Sequence, residues 1–128
     1  MNILDENIRE DQRLDLLRRR LSIRQIGVDL KRKGRADEEI ITLLYQLDRP
    51  TFFTQDQDFY SRRLCHERYC IVYLDIDDES VSEFFRRFLR HPAFDSKAKR
   101  MRLVVRVEES RVTVWRQHQA KQIRLSWK

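Results

Sequence analysis

The sequence predicts an α/β domain with a mainly parallel central sheet. Short, nearly all-apolar runs such as PTFFT and CIVYLDI are typical of strands that are covered on both faces. Segments with apolar residues at helical spacing alternate with these runs from residue 2 to residue 75, as they do in parallel sheets. The 128 residues include two glycines and two prolines, which leaves little room for linkers. We therefore expect one domain, residues 1–128.

The first predicted elements are a strand, a helix and a second strand. The strand covers residues 2–4 and stops at Asp5. The helix follows in residues 7–21, with Asn7 as its expected N-cap. The second strand is expected within residues 23–30. Three leucines of the helix lie at helical spacing and are its expected apolar stripe: Leu14, Leu17 and Leu21.

The next predicted helix covers residues 37–47, after a loop that Gly34 marks as a break. Acidic residues in its first turn, among them Asp37, complement the helix dipole. The PTFFT and CIVYLDI strands follow this helix. The expected buried stripe of the helix consists of Ile40, Leu43, Leu44 and Leu47.

The last part of the chain is predicted to contain one more helix and three strands. The helix has arginines opposite its apolar side, and Pro92 ends it. Alternating residues then predict two strands around a turn in RLVVRVEESRVTVWR, and a third strand in IRLSW. We expect these strands to be antiparallel additions at the sheet edge. The apolar side of the helix consists of Val81, Phe84, Phe85, Phe88 and Leu89.

The charge balance favours a polyanionic partner. The chain has 27 Lys and Arg against 21 Asp and Glu, a net charge of +6, and arginine suits phosphate geometrically. Two cysteines are too few for a disulfide framework. No basic, long-apolar signal segment and no run approaching the roughly 18 apolar residues of a membrane span is present. These features predict a cytoplasmic protein with no membrane partner.

Acidic residues follow the predicted strands at positions where ligands bind in α/β sheets. Asp5 lies just past the first strand, Asp56 and Asp58 lie just past the TFF strand, and Asp37 begins the second helix. If the first and third strands are neighbours, these carboxylates meet in one cleft beyond the carboxyl ends of the strands. Clustered carboxylates repel one another unless a cation lies between them, and Mg²⁺ or Mn²⁺ prefers such oxygen ligands.

Three segments, NILDEN, ADEEI and TFFTQDQDF, resemble the PIN-like nuclease family, in particular its short toxin members from bacterial toxin–antitoxin pairs. The resemblance covers residues 2 to about 60, and its most specific part is T-x-D-x-D-F. It implies a three-layer PIN-like fold and a Mg²⁺- or Mn²⁺-dependent endoribonuclease. It also implies RNA and a small antitoxin protein as partners, and it leaves a homodimer open. The longer helical insertion of full-length PIN nucleases is absent here, which bears on substrate positioning.

The resemblance also implies roles for individual residues. Asp5, Asp37, Asp56 and Asp58 match the metal-binding acids, and Thr54 matches the hydroxyl residue that steadies the turn. In this scheme Asp5 and Asp56 bind the principal metal, and Asp37 and Asp58 complete its shell or hold a second metal. The basic side of the third helix is the expected RNA-binding surface: Arg86, Arg87 and Arg90.

Other interpretations of these features remain. A lone D-x-D is more often a solvated loop than a metal site, and Asp37 alone could be a helix cap. The chain could also be a catalytically inactive PIN-like module that binds RNA or protein. A phospho-acceptor signalling domain fits TQDQDF poorly. Zinc is disfavoured because Cys65, His66 and Cys70 do not complete a regular four-ligand set.

Overall fold

The computed structural model describes residues 1–30 and 37–127 and shows an α/β fold built on one mixed, mostly parallel sheet. Seven strands lie in the order β2-β1-β3-β4-β5-β6-β7. The pairs among β1 to β5 are parallel, and β6 and β7 join in antiparallel fashion. The strands are β1 (Asn2–Leu4), β2 (Arg24–Gln25), β3 (Thr51–Thr54), β4 (Cys70–Leu74), β5 (Leu103–Val107), β6 (Val112–Arg116) and β7 (Ile123–Leu125).

Helices cover both faces of the sheet. They are α1 (Glu10–Arg18), α2 (Asp37–Gln46), α3 (Val81–Arg90) and α4 (Lys97–Arg100), with short 3₁₀ turns at Gln57–Phe59, Arg62–Leu64 and Asp78–Ser80. One buried cluster joins Leu16 of α1 and Phe85 of α3 to one face of the sheet. The other joins Ile40 and Leu44 of α2 to the opposite face, called the α2 face below. Alternate residues of each strand supply the two clusters, which explains why the central strands are apolar throughout.

The chain changes direction across the sheet between β1 and β3. From β1 it passes to β2 on one side, and it then returns to form β3 on the other side. Leu4 pairs with Phe53; β1 ends at Leu4 and β3 ends one residue after Phe53, at the same edge of the sheet. Such a switch point separates the helices that follow the two strands and opens a crevice beyond the carboxyl ends. The sequence expectation that the first and third strands are neighbours is confirmed.

The expected apolar stripe of α1 is wrong at two of its three leucines. Leu14 and Leu17 are 49% and 42% exposed, whereas Leu16 is fully buried and Gln12 is buried beside it. Leu21, which follows the end of the helix, is half-buried against the core. The side-chain oxygen of Gln12 accepts a hydrogen bond from the Ser82 backbone N–H at 2.9 Å, which compensates its burial. Because a polar residue occupies the buried face, the spacing of the leucines indicated the wrong side of the helix.

The expected N-cap of α1 is also wrong. The helix begins at Glu10 with Arg9 at the N-cap, two residues later than expected from Asn7. Ile8 is buried, and its N–H donates to the Asp5 carbonyl in a turn that precedes the helix. Burial of Ile8 therefore fixes the chain before the first helical turn.

The second strand is shorter than the segment predicted from the sequence. Only Arg24 and Gln25 pair with β1. Gly27 then turns the chain with φ +89°, and the Asp29 carboxylate accepts a hydrogen bond from the Gln25 N–H at 3.0 Å. The predicted break at Gly34 lies outside the described residues.

The C-terminal strands differ from their prediction in one respect. β6 and β7 are antiparallel additions at the sheet edge, as expected. β5, by contrast, pairs in parallel with β4 and belongs to the interior of the sheet. The chain from α3 through α4 returns to the amino edge of the sheet, so that β5 enters in the same direction as β4.

Candidate metal centre and the cleft beside it

Asp5 lies at the switch point, directly after β1. Its backbone N–H donates to the Phe53 carbonyl at 2.9 Å, which continues the pairing of β1 with β3. The side chain is only 4% exposed. Its carboxylate accepts hydrogen bonds from the Thr54 hydroxyl at 2.7 Å and from the Glu6 N–H at 2.8 Å. Asp5 is therefore a fixed, buried carboxylate at the base of the crevice.

Thr54 joins the ends of β1 and β3. Its hydroxyl donates to Asp5 and accepts a hydrogen bond from the Asp56 N–H at 3.0 Å. The Asp56 carboxylate in turn accepts from the Asp58 N–H at 2.9 Å and caps the short turn that Asp58 enters. This chain of hydrogen bonds sets the direction of the two aspartates beyond the strand. The role expected of Thr54, to steady the turn, stays a prediction, and these are the contacts through which it would act.

Three of the predicted acids come together at this edge. Asp37, Asp56 and Asp58 each offer one carboxylate oxygen, and these oxygens lie within 4.8 Å of one another. Asp37 arrives from the first turn of α2, whereas the other two follow β3. Asp5 is outside this group, and the Thr54 hydroxyl connects it to the Asp56 backbone. Among the described residues, this is the one group of three acidic, histidine or cysteine side chains placed closely enough to bind a metal.

The donors in this group suit a hard divalent cation. Three carboxylates this close repel one another in the absence of a counterion. Mg²⁺ and Mn²⁺ take oxygen ligands and retain several waters, and the partly exposed positions of Asp37 and Asp56 and the exposed position of Asp58 leave room for those waters. The group therefore fits Mg²⁺ or Mn²⁺ better than a metal that prefers sulfur or nitrogen ligands.

A cleft of about 280 Å³ lies beside the acids. Asp37 and Asp58 form part of its wall, and the exposed Arg63 forms another part. Arg63 is not among the site residues predicted from the sequence. The sequence feature that could have indicated Arg63 is its position five residues after Asp58, in the same connection between β3 and β4. Arg63 thus places a guanidinium, a group whose geometry suits phosphate, in the same cleft as two of the carboxylates.

The arginines predicted to bind RNA lie elsewhere. α3 packs with α1 on the face of the sheet opposite the α2 face, toward which the acid group opens. The guanidinium of Arg87 lies 4.7 Å from the ring centre of Phe84 and 4.8 Å from that of Trp127, and it pairs with Glu83 at 3.5 Å. The structure thus separates these arginines from the acids by the thickness of the sheet.

Comparison with known proteins gives no match to a family model, to a curated protein or to a solved structure. Across residues 1–30 and 37–127, none of the helices has the length and apolar character that crossing a membrane requires.

Proposed function

We propose that this protein is a metal-dependent endoribonuclease of the PIN-like class that acts as the toxin of a toxin–antitoxin pair in the cytoplasm. The convergence of Asp37, Asp56 and Asp58 at the switch point between β1 and β3 is the observation that carries the proposal. The T-x-D-x-D-F resemblance supports the choice of reaction, and the net charge of +6 supports a polyanionic substrate.

Three of the acidic residues share one task in this proposal, and Asp5 has another. Asp37, Asp56 and Asp58 hold Mg²⁺ or Mn²⁺, which would supply activation of a water and stabilisation of the leaving oxygen in phosphodiester cleavage. Asp5 and Thr54 position Asp56 through their hydrogen bonds. Arg63 binds a phosphate of the RNA at the wall of the cleft. No covalent nucleophile takes part.

The test is incubation of purified protein with mixed RNA and Mn²⁺ or Mg²⁺, with and without a chelator. We expect cleavage that requires the metal and that Asp56→Asn abolishes. Asparagine keeps an oxygen that can accept the Asp58 N–H, so the turn is retained while one charge is lost. Metal-free Asp56→Asn is expected to be as thermally stable as the parent or more stable, because it relieves repulsion.

Asp48→Asn is the matched control, since Asp48 is an exposed acid outside the group of three. It should cleave RNA as the parent does. Undiminished cleavage by folded Asp56→Asn would contradict the proposed site. RNA binding without any metal-dependent cleavage would instead support the inactive RNA-binding module.

A toxin of this class needs an inhibitor that leaves its fold intact. We propose a small antitoxin that places an arginine or lysine side chain among the carboxylates, where a cation is electrostatically favoured. Pull-down from the native host should recover a small protein that suppresses cleavage. Its affinity should fall when Asp5 and Asp56 are both changed to asparagine. Equal affinity for the double variant would show that inhibition does not act through the acids.

A further inference from the structure

A row of side chains leads from the acid site across the sheet. Thr54 pairs with Tyr73, Tyr73 with Arg106, Arg106 with Thr113, and Thr113 with Arg124. Side chains of directly paired residues point to the same face of the sheet. Thr54 points to the α2 face, and the other four residues of the row therefore do so as well. At about 4.8 Å per strand, the row extends roughly 19 Å from the acid site to the edge strand.

The core on the α2 face stops short of this row. The cluster that contains α2 includes Ile71 and Val104, which lie two residues before Tyr73 and Arg106 toward the amino ends of their strands. Tyr73 and Arg106 are half-buried, and Arg124 is exposed. The part of the α2 face nearest the carboxyl edge is therefore open to solvent at these three positions.

Aromatic rings occupy the same open area. The Tyr60 and Tyr73 ring centres are 6.2 Å apart, and the Arg62 guanidinium lies 6.0 Å from the ring centre of Trp115. Burial and the neighbouring Asp75 carboxylate raise the pKa of Tyr73, and the charge of Asp56 acts in the same direction. Because Tyr73 pairs directly with Thr54, whose hydroxyl accepts from the Asp56 N–H, the rings adjoin the acid site. The open sheet face is defined here by Tyr60, Arg62, Tyr73, Arg106, Trp115 and Arg124.

Two arginines of the open sheet face are available to pair with phosphates. Within the described part of the chain, neither Arg62 nor Arg124 makes an ion pair, and both are exposed. Arg106 differs, because the Asp75 carboxylate accepts hydrogen bonds from it at 2.6 and 3.0 Å, which raises the pKa of its guanidinium and fixes it beside Tyr73. Arg62 lies over Trp115 of β6 and Arg124 belongs to the neighbouring strand β7, so this free positive charge is at the β6–β7 end of the face, and Tyr73 lies between it and the acid site.

We propose that the open sheet face binds single-stranded RNA and leads the strand to the carboxylates at the switch point. This inference rests on the proposed nuclease function and adds the surface that holds the substrate. Guanidinium groups complement phosphates, and rings stack on bases, which are accessible only when they are unpaired. A duplex would cover its bases and lose the contacts with the rings.

The proposal replaces the α3 arginines as the main RNA contact. Arg87 and Arg90 lie with α3 on the opposite face of the sheet, so a strand that crosses the open sheet face does not reach them. Replacing Arg87 and Arg90 is therefore a matched control for replacing Arg62 and Arg124, because each double variant removes two arginines.

The test measures binding of a fluorescent, mixed-sequence single-stranded RNA by anisotropy, in chelator, over a series of salt concentrations. We expect Arg62→Gln with Arg124→Gln to weaken binding and to reduce the slope of log affinity against log salt by about 1.4, at about 0.7 for each lost contact. We expect Tyr73→Leu to weaken binding roughly tenfold, with less effect on the slope. Arg87→Gln with Arg90→Gln should leave both quantities as in the parent.

Because binding is measured without metal, its result is independent of cleavage. If the parent cleaves RNA and the Arg62→Gln/Arg124→Gln variant binds RNA with the affinity of the parent, the open sheet face does not bind the RNA, and the proposed nuclease function still stands. Salt-sensitive binding that depends on Arg62 and Arg124, without cleavage under any metal, would support the surface and overturn the nuclease. Equal affinity for a duplex of the same sequence, or loss of binding only in the Arg87→Gln/Arg90→Gln variant, would also overturn this proposal.

Discussion

At the scale of single residues, the site depends on one hydroxyl group. Thr54 is fully buried, and it connects Asp5 on one strand to the backbone of Asp56 after the next strand. A buried carboxylate such as Asp5 is costly unless its oxygens are hydrogen-bonded. Thr54 therefore both stabilises the end of the β1–β3 pair and directs the chain toward the acid group.

Thr54→Val tests this double role. Valine fills the same volume but removes the hydroxyl that donates to the Asp5 carboxylate and accepts from the Asp56 N–H. We expect the free energy of unfolding to fall by about 1–3 kcal/mol. We also expect metal-dependent cleavage to fall, because Asp56 loses its orientation. Denaturant unfolding and the RNA assay measure the two effects.

Thr54→Ser is the control, because serine keeps the hydroxyl. It should restore most of the stability and most of the activity of the parent. If Thr54→Val unfolds and cleaves like the parent, the hydroxyl has neither role.

At the scale of elements, α1 and α3 are held together by polar contacts as well as by apolar packing. Gln12 accepts from the Ser82 N–H, and Asp15 accepts from the Ser82 hydroxyl and from Arg18 and Arg19. These contacts place the first turn of α3 against the middle of α1. The helix pair then covers one face of the sheet and leaves the acid group to open on the other.

The orientation of α1 predicts that alanine substitutions at the adjacent residues Leu16 and Leu17 have very different effects on stability. Leu16→Ala should lower the free energy of unfolding by about 2–5 kcal/mol, because it removes a fully buried side chain. Leu17→Ala should change it by less than about 0.5 kcal/mol, because Leu17 is at the surface. Denaturant unfolding of both variants measures the difference. A larger loss for Leu17→Ala than for Leu16→Ala would restore the face expected from the leucine spacing.

Asp15 makes stability depend on pH. The Ser82 hydroxyl and the guanidinium groups of Arg19 and Arg18 hold the pKa of Asp15 well below its usual range. Because the folded pKa is below the unfolded value of about 3.9, the stabilisation is complete above that pH and is lost as the pH falls through the folded value. Asp15→Asn should therefore be less thermally stable than the parent at pH 7, and the difference should shrink below about pH 4. A pH-independent difference in melting temperature would show that the carboxylate charge is not responsible.

The elements that the sequence predicted best are those whose burial is decided by apolar residues alone. Ile40 and Leu44 of α2 and the Phe residues of α3 are buried as expected. The face of α1 was mispredicted because Gln12 is buried through a partner 70 positions away, which no local pattern contains. The site shows the same limit. The acids after the strands could be predicted from strand order, but Arg63 and the row from Thr54 to Arg124 depend on strand register and on the 3₁₀ turns.

At the scale of the whole molecule, the two faces of the sheet differ in what they carry. The face covered by α1 and α3 contains the larger apolar cluster. The α2 face has a smaller cluster and, beyond it, the acid group, the cleft and the open sheet face. The switch point between β1 and β3 places the acids where these features meet. We propose that this arrangement forms a divalent metal site.

Calorimetric titration of Mn²⁺ into the RNA-free protein tests that claim most directly, because it does not require knowledge of the RNA target. We expect saturable binding by the parent and by Asp48→Asn. Asp37→Asn, Asp56→Asn and Asp58→Asn should each weaken binding at least about tenfold, since loss of even an outer-shell partner of a metal ligand typically costs 10–100-fold. No saturable binding by the parent, or equal affinity of the three variants and the parent, would contradict the metal site and the nuclease mechanism that depends on it.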